Sequence, residues 1–418
     1  MNYTQAIAWL YETQYRGIKL GLEQIRRLLD ALGFDGARQR FIHVAGTNGK
    51  GSVCAMLDAI CRVQGIRTGL YTSPHLVSFR ERIKLDGAMI AEQEVADGLA
   101  KIRGIISGWT THPTFFEITT ALALDWFQRK NADVVVLETG LGGRLDSTNI
   151  VTPCVSVLTP IDLDHQELLG PTITQIAFEK AGIIKARVPV VSAPQQREAV
   201  EVLLKSAAKN VTSVEFITDP VPPGRDISVS LPGSHQKLNA ALAIAALRAA
   251  KINVSDEAIR NGLGNISWPG RFQVVAASLR DAPGLGDCVL DGAHNVAAAK
   301  RLVQTWREVF GDARPVIILG VLKDKDMPAI CRALLPIAAG FVIVPVRSHR
   351  SSDPEELRQI LHSLDPAVPC HTAQNFPQAL AIAKTNPNKI LITGSLFLAG
   401  EALAFFESAA HPPEIGSQ

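Results

Sequence analysis

Short apolar runs alternate with longer segments of helical periodicity along most of the chain. In the first half, the runs that are typical of buried strands lie at residues 41–47, 68–73, 133–140, 155–161 and 188–193. The segments between them include SVCAMLDAICRVQG and EITTALALDWFQRK, in which apolar positions recur at helical spacing. This alternation predicts βαβ units and a largely parallel sheet.

A second series of the same kind begins near residue 288. Its apolar runs are CVLDGAHN, PVIILGVL, GFVIVPV and KILITGS, again with helical segments between them. The polar stretch at 277–287 is rich in Gly and Pro, which is typical of a linker. Because 418 residues exceed what one hydrophobic core usually supports, we predict two α/β domains, at 1–276 and 288–418.

Composition and charge narrow the function classes. Hydrophobic residues make up 47% of the chain and charged residues 20%, as in ordinary globular proteins. The net charge of +2 provides no strong field toward nucleic acid or membrane, so an anionic ligand must be held by a local group of residues. The sequence shows no signal peptide and no apolar stretch of roughly 20 residues. Its six scattered cysteines form no C-x-x-C pair, so we expect reduced thiols and a cytoplasmic location.

The segment FIHVAGTNGKGS runs from a strand through a glycine-rich loop into a helix. Glycines let backbone amides turn toward a phosphate, and the helix N-terminus adds partial positive charge. Lys50 is placed to reach the outer phosphates, and the Ser52 hydroxyl to face Mg²⁺. The order departs from G-x-x-x-x-G-K-[ST], because Val44 replaces the first glycine and Gly51 separates Lys50 from Ser52. A plain glycine-rich turn is the alternative, but the strand–loop–helix context favours a phosphate-binding loop.

Polar side chains follow three predicted strands. Glu138 ends one strand, and Asp162, Asp164 and His165 follow the next, while Ser73 follows a third. Because the carboxyl ends of parallel strands meet at one edge of a sheet, these groups indicate a site for Mg²⁺, which prefers oxygen ligands. An exposed loop acid and a structural histidine remain the alternatives.

Two further groups are ambiguous from pattern alone. Lys180, in FEKAGIIK, has the position of a helix-surface lysine beside Glu179. In the second half, CVLDGAHN brings Asp291 to a strand end, and WPGRFQ carries Arg271 just before it. These two side chains either close over a nucleotide or belong to an ordinary βα loop with a helix-capping residue.

Together the motifs resemble the folylpolyglutamate synthase and dihydrofolate synthase family, within the larger group of Mur-type amide ligases. GTNGKGS, TSPHL, LETGLGGRLDSTN, LDHQELLG, EKAGI, PGRF, DGAHN and ITGS occur in the family's order and span almost the whole chain. The resemblance implies a P-loop ATPase-like N-terminal domain and a smaller Rossmann-like C-terminal domain. It also implies an ATP-dependent ligase that adds L-glutamate to dihydropteroate or to a folate through an acyl phosphate.

The resemblance also implies roles for individual residues. The phosphate-binding residues would be Gly46, Thr47, Asn48, Gly49, Lys50, Gly51 and Ser52, and the other nucleotide contacts Asn239, Arg271 and Asp291. Ser73 and Glu138 would hold one Mg²⁺ and His165 a second. Lys180 would be carbamylated by CO₂, which places an anionic oxygen group near the metals. Lys50, Lys180 and His165 would be the catalytic residues.

The remaining implied residues bind the other two substrates. The pterin-binding positions would be Ile18, Lys19, Leu20, Thr114, Phe115, Phe116, Glu117, Leu145, Asp146 and Ser147. Phe115 and Phe116 would offer flat apolar faces to the ring. His294, Lys325 and Ser395 would hold the incoming glutamate.

Two features bear on the choice of substrate. Members that act on dihydropteroate often carry an acidic residue in an N-terminal pattern where this chain has Ile18-Lys19-Leu20. In contrast, Arg144 in GGRLDSTN resembles the residue that bifunctional members of the family carry in this motif. We therefore favour dual activity over folylpolyglutamate synthase activity alone.

The rival functions differ in features that can be read from the sequence. A peptidoglycan ligase of the Mur type would carry an extra N-terminal domain, and only about 40 residues precede the phosphate loop. A nucleotide switch of the GTPase class would carry [NT]-K-x-D, which this chain lacks. We expect a monomer with small-molecule substrates and no nucleic-acid or membrane partner. Two domains that close would keep water from the acyl phosphate.

Overall fold

The chain forms two compact α/β units. The computed structural model describes residues 1–16, 21–220, 227–275, 288–386, 388–407 and 413–414. The first unit comprises Met1–Pro74, Arg80–Ser230 and Gln236–Ile266. The second comprises His75–Phe79, Leu231–His235 and Ser267–Gln418.

The first unit is built on an eight-stranded sheet. Its strands are β1 (Arg40–Ala45), β2 (Thr68–Tyr71), β3 (Ile83–Leu85), β4 (Ala88–Met89), β5 (Val134–Glu138), β6 (Val155–Leu158), β7 (Val190–Ser192) and β8 (Val214–Phe216). Their order is β4-β3-β2-β5-β1-β6-β7-β8. β3 pairs in antiparallel fashion with both β2 and β4, and the other neighbouring strands are parallel. The central strands are buried along almost their whole length, as expected for parallel strands covered on both faces.

Helices flank this sheet. They are α1 (Tyr3–Glu12), α2 (Glu23–Leu32), α3 (Lys50–Val63), α4 (Glu92–Ile106), α5 (Phe115–Arg129), α6 (Gln166–Leu169), α7 (Ile173–Ala181), α8 (Arg197–Lys209), α9 (Ser234–Ala249) and α10 (Asp256–Gly264). α3 is the central helix of the unit, with every residue from Gly51 to Cys61 buried. α10 packs closely on α3, since a Cβ on Gly262 would lie 2.8 Å from the Ile60 Cα atom.

The strand register brings the predicted site residues to one edge of the sheet. Val44 in β1 lies opposite Glu138 in β5, and Ala45 lies opposite Leu158 in β6. The loops that follow these three strands therefore start side by side. This is the edge of an open α/β sheet at which ligands bind.

The second unit has a six-stranded sheet of its own. Its strands are β9 (Gln273–Val274), β10 (Cys288–Leu290), β11 (Val316–Leu319), β12 (Gly340–Ile343), β13 (Cys370–Thr372) and β14 (Ile390–Thr393), in the order β13-β12-β11-β14-β10-β9. All but β9 run parallel. The helices are α11 (Val296–Phe310), α12 (Met327–Leu334), α13 (Pro354–Leu364), α14 (Phe376–Ala383) and α15 (Leu396–Phe406). Buried apolar side chains cover both faces of the sheet.

The predicted architecture, with a larger and mainly parallel N-terminal sheet and a smaller Rossmann-like unit, is confirmed. The domain bounds 1–276 and 288–418 stay predictions, because the linker at 277–287 lies outside the described residues. Within the part of the chain that the structure describes, no helix is long and apolar enough to cross a membrane.

Candidate active site

The phosphate loop occupies the turn between β1 and α3. The backbone amides of Thr47 and Asn48 donate to the Pro160 carbonyl, at 2.9 and 3.3 Å, which ties the loop to the segment after β6. α3 begins with Gly49 in a left-handed conformation, and within the described ranges no side chain caps it. The amides of the first helical turn therefore lack a side-chain acceptor, which makes this N-terminus suited to an anion.

Gly46 is required by the space around the loop. Its φ is +147°, and a Cβ would lie 1.9 Å from the Thr159 Oγ1 atom and 2.8 Å from the Thr159 carbonyl oxygen. Because backbone atoms cannot yield easily, a side chain here would push the loop away from β6. The glycine thus sets the position of the loop that is predicted to hold phosphate.

We expect Gly46→Ala to lower the free energy of unfolding by about 1–3 kcal/mol and to abolish ATP binding, because overpacking displaces the loop. Thermal unfolding and isothermal titration calorimetry with ATP would measure both effects. Gly65→Ala is the matched control: its φ is also positive (+82°), but a Cβ there meets nothing within 4 Å. Equal ATP affinity for the two variants would contradict the packing argument.

Two lysines converge on one carbonyl oxygen of the loop. The Lys50 Nζ atom lies 3.1 Å from both the Gly46 and Thr47 carbonyl oxygens, and the Lys180 Nζ atom lies 2.7 Å from the Gly46 oxygen. Burial, and after it the positive charge of Lys50, lowers the pKa of Lys180 to about 7. Lys180 is 5% exposed, so the interpretation of this residue as a surface lysine is wrong. A large share of Lys180 is an uncharged amine near neutral pH.

Glu138 and Ser73 are brought together at the same edge. The Ser73 backbone amide donates to the Glu138 Oε2 atom at 3.1 Å, and Glu138 is only 5% exposed. A buried carboxylate and a serine hydroxyl both supply oxygen donors of the kind that Mg²⁺ prefers. Among the described residues, no group of three or more His, Cys, Asp and Glu side chains gathers as a metal cluster.

His165 lies at a different kind of position. It is exposed, adopts a φ of +49° just before α6, and its backbone amide donates to Asp164 Oδ1 at 2.9 Å. The loop that carries it is tied to the phosphate loop, because the Thr47 hydroxyl bonds both the amide and the carbonyl of Asp162 at 3.0 Å. The structure thus places the His165 loop beside the nucleotide loop, and its role as a metal ligand stays a prediction.

The glycine-rich segment at 140–149 packs tightly against the end of α7. A Cβ on Gly143 would lie 2.8 Å from the Lys180 carbonyl oxygen, and one on Gly182 would lie 2.3 Å from the Arg144 Cα atom. The Asn149 side chain donates to the carbonyls of Arg144 and Gly182, both at 3.0 Å. These contacts fix the segment that contains Leu145, Asp146 and Ser147 beside Lys180.

Asp146 is the buried centre of this segment. Its carboxylate accepts from the Leu141 amide at 2.8 Å, the Thr148 amide at 3.0 Å and the Thr148 hydroxyl at 2.5 Å. Burial raises the pKa of Asp146, and the hydrogen bonds from Leu141 and Thr148 oppose that rise. Ser147 is buried as well, whereas Leu145 is partly exposed.

The predicted pterin residues on α5 differ in what they can offer. Thr114 and Glu117 form a capping box at the start of α5, so both have a structural role. The Phe115 ring is 6% exposed and stacks on Tyr11, with ring centroids 5.8 Å apart. Phe116 is partly exposed and packs over Gly140, where a Cβ would lie 2.5 Å from its ring. Phe116 is therefore the more accessible of the two rings.

In the second unit, Asp291 follows β10 and accepts from the amides of Phe272 and Ala293, both at 2.8 Å. Burial raises the pKa of Asp291, and the neighbouring Arg271 opposes that rise. His294 Nδ1 lies 2.8 Å from the Gly292 carbonyl oxygen. The contacts of these residues with nucleotide or glutamate stay predictions.

The other two predicted glutamate contacts lie in the loops that follow β11 and β14. Lys325 has a 6% exposed side chain and lies 3.6 Å from Asp324, which also pairs with Arg350 at 2.8 Å. Ser395 caps α15 by accepting from the Phe397 amide at 3.0 Å. Ile18, Lys19 and Leu20 lie outside the described residues.

Comparison with known proteins identifies the family. Residues 44–218 match the Mur ligase middle domain, and residues 270–396 match the Mur ligase glutamate ligase domain. The dihydrofolate synthase/folylpolyglutamate synthase of Bacillus subtilis (strain 168) is 34% identical to this chain, over 94% of the chain and 97% of that protein. The chain belongs to the dihydrofolate synthase/folylpolyglutamate synthase family.

Solved structures of this family match in fold as well. Escherichia coli FolC in complex with DHPP and ADP has a TM-score of 0.87 and 29% identity, covering 98% of this chain and 99% of that one. The bifunctional Yersinia pestis enzyme complexed with AMPPNP and Mn ion has a TM-score of 0.85 and 30% identity, covering 97% and 98%. As a member of this family, the chain is an ATP-dependent ligase that uses a divalent metal ion.

Sequence reasoning missed several residues of this ligase. Gln236 lies in α9, and its side chain links Ser52, at 3.5 Å, to Asn239, at 2.9 Å. The i, i+3 spacing from Asn239 was the signal that could have identified it. Arg82 is fully buried, with its guanidinium 5.3 Å from the Phe115 ring centroid. Nothing in the local pattern predicts the burial of this arginine.

Proposed function

We propose that this ligase joins L-glutamate to a pterin acid, and that it accepts both dihydropteroate and a reduced folate. The observation that carries the proposal is the convergence of Lys50 and Lys180 on the Gly46 carbonyl, beside the segment that holds Asp146. It supports a site in which the proposed phosphate-binding groups lie next to the predicted pterin segment within one unit. The DHPP and ADP of the Escherichia coli structure support the same pair of ligands.

The proposed reaction has two steps. An oxygen of the substrate carboxylate attacks the γ-phosphorus of ATP, ADP leaves, and an acyl phosphate forms. The uncharged amine nitrogen of glutamate then attacks the acyl carbon, phosphate leaves with that carboxylate oxygen, and one proton of the amine passes to the departing phosphate. Activation is needed because a free carboxylate has no good leaving group.

The chain's own residues stabilise the first step. The uncapped amides of α3 and the Lys50 ammonium group face the charge that develops on the transferring phosphoryl group. Asn239, whose side-chain oxygen would lie 3.1 Å from a Cβ on Gly49, borders the loop on its α9 side. A magnesium ion held by Ser73 and Glu138, and a second held by His165, would offset further phosphate charge.

Carbamylation of Lys180 has a physical basis in its environment. Only the uncharged amine reacts with CO₂, and a pKa near 7 makes that form abundant at physiological pH. The ammonium group of Lys50, which shares the Gly46 oxygen with Lys180, would in turn favour the anionic carbamate. We therefore propose that Lys180 carries a carbamate in the active enzyme.

We propose a monomeric, cytoplasmic enzyme. Each substrate is a small molecule, and the nucleotide loop, Glu138 and the Asp146 segment all come from one unit of one chain. Size-exclusion chromatography with light scattering would test the monomer, and a dimer would contradict it.

Dual activity is tested by two parallel assays. Dihydropteroate and tetrahydrofolate monoglutamate are each supplied with ATP and labelled glutamate, and ADP release and label incorporation are followed. We expect both acceptors to be glutamylated. If only tetrahydrofolate monoglutamate is glutamylated, the protein is a folylpolyglutamate synthase without dihydrofolate synthase activity. ADP release that depends on neither acceptor would contradict the proposed function.

A further inference from the structure

His43 is a fully buried imidazole in β1 that the proposed reaction leaves without a role. Its Nε2 atom lies 2.8 Å from the Thr148 Oγ1 atom. Its Nδ1 atom is buried and has no hydrogen-bond partner in the portion of the chain that the structure describes. An orphan ring nitrogen is unfavourable in a core, and an apolar side chain would avoid it. The remaining contact, with Thr148, is therefore the feature that distinguishes histidine from leucine here.

The directions of the hydrogen bonds follow from the groups involved. Backbone amides of Leu141 and Thr148 donate to the Asp146 carboxylate and oppose the rise in its pKa that burial causes. An ionised carboxylate only accepts, so the Thr148 hydroxyl, 2.5 Å away, donates to it. The Thr148 oxygen in turn accepts the Nε2 proton of His43. The result is a series of two hydrogen bonds, in which His43 donates to Thr148 and Thr148 donates to Asp146.

The protonation state of His43 agrees with these hydrogen-bond directions. Burial, and after it the charge of Lys185, lowers the pKa of His43 to about 3, so the ring is neutral at physiological pH. A neutral imidazole carries one proton, and Thr148 fixes that proton on Nε2. The orphan Nδ1 is the consequence of that tautomer.

We propose that His43 and Thr148 are positioning residues for the pterin acid, which hold the Asp146 carboxylate in the orientation that meets the substrate. The inference rests on the proposed function, in which residues 145–147 contact the pterin acid. β1 carries His43 and leads directly into the phosphate loop. The same strand therefore sets the positions of the nucleotide loop and of the substrate segment.

Thr148→Val and Thr148→Ser form the matched test. Valine keeps the shape of threonine but removes the hydroxyl, whereas serine keeps the hydroxyl. We expect Thr148→Val to raise the KM for dihydropteroate about tenfold, as expected for a lost hydrogen bond to a charged group. The KM for ATP should stay within about twofold, and Thr148→Ser should remain within about twofold of wild type for every substrate. Equal dihydropteroate KM values for the two variants would overturn the proposal.

His43→Leu and His43→Gln separate positioning from stability. Leucine removes the orphan nitrogen, so its thermal unfolding midpoint should be at least that of wild type while the dihydropteroate KM rises several-fold. Glutamine supplies an N–H group near the position of Nε2 and should restore the KM. A purely structural histidine would give the opposite result for His43→Leu, a lower midpoint with an unchanged KM, and that would refute the role.

The same assays distinguish this inference from the function on which it rests. If wild type releases no ADP in response to any pterin acid, the proposed function fails and the inference fails with it. If wild type is active and Thr148→Val alters the KM values of all three substrates alike, only the positioning role is overturned.

Discussion

We expect Lys50→Ala to abolish measurable ADP formation, with a loss of at least about a thousandfold in kcat, the scale set by removing a cation from a phosphoryl-transfer site. The reason is that Lys50 supplies the only lysine charge of the phosphate loop, and its ammonium group lies over the Gly46 and Thr47 carbonyls. The fold should persist, because the side chain contacts those loop carbonyls rather than the core. ADP release measured with saturating pterin acid and glutamate checks the rate, and thermal unfolding checks the fold.

Lys205→Ala is the matched control for this variant. Lys205 lies on α8 of the same unit and is exposed, so its loss removes the same charge without touching the loop. The control should turn over at the wild-type rate. Wild-type-like turnover by Lys50→Ala would overturn the assignment of the phosphate loop.

Lys180→Ala is expected to reduce kcat on a similar scale, through loss of the carbamate rather than of a positive charge. Two observations would identify the carbamate. Wild-type activity should fall in buffer depleted of CO₂ and return with bicarbonate, whereas Lys180→Ala should not respond to bicarbonate. Small carboxylic acids such as acetate should partly restore the variant, because they can place a carboxylate in the space that the lysine leaves.

The pH dependence of the wild type follows from the lowered pKa. Below pH 7 the Lys180 amine is mainly protonated and cannot react with CO₂, so activity at limiting CO₂ should fall as the pH drops through about 7. Saturating bicarbonate should shift that fall to lower pH. An activity profile that is insensitive to bicarbonate at every pH would contradict carbamylation.

The central part of the fold was predictable because the apolar runs of its buried strands are easily recognised in the sequence. Buried parallel strands such as β1, β5 and β6 are covered on both faces and consist mostly of apolar residues, and a glycine or a polar residue stands at the end of each strand or directly after it. The same property pointed to the candidate site, since Gly46 follows β1 and Glu138 ends the adjacent strand β5. The strands β3, β4, β8, β9 and β13 were not predicted, because each is only two or three residues long, which is too short for an apolar pattern to stand out.

Residues whose roles depend on tertiary packing were not predictable in the same way. Lys180 has a helix-surface pattern beside Glu179, but it is buried, with the segment at 140–149 packed against the end of α7 and its Nζ atom on the Gly46 carbonyl. His43 reads as one more residue of a core strand, and its contact with Thr148 crosses 105 positions of sequence. The role of Lys180 came from resemblance to a family, and that of His43 from the structure.

The most direct test of the account follows one atom of the pterin acid. Dihydropteroate with a heavy oxygen isotope in its carboxylate is incubated with ATP, glutamate and the enzyme, and the released phosphate is analysed by mass spectrometry. Ligation through an acyl phosphate predicts one heavy oxygen in each phosphate formed, and phosphate release only when both acceptor and glutamate are present. If the enzyme instead hydrolyses ATP and releases unlabelled phosphate when the pterin acid or glutamate is left out, the claim that this protein is a glutamate ligase is contradicted.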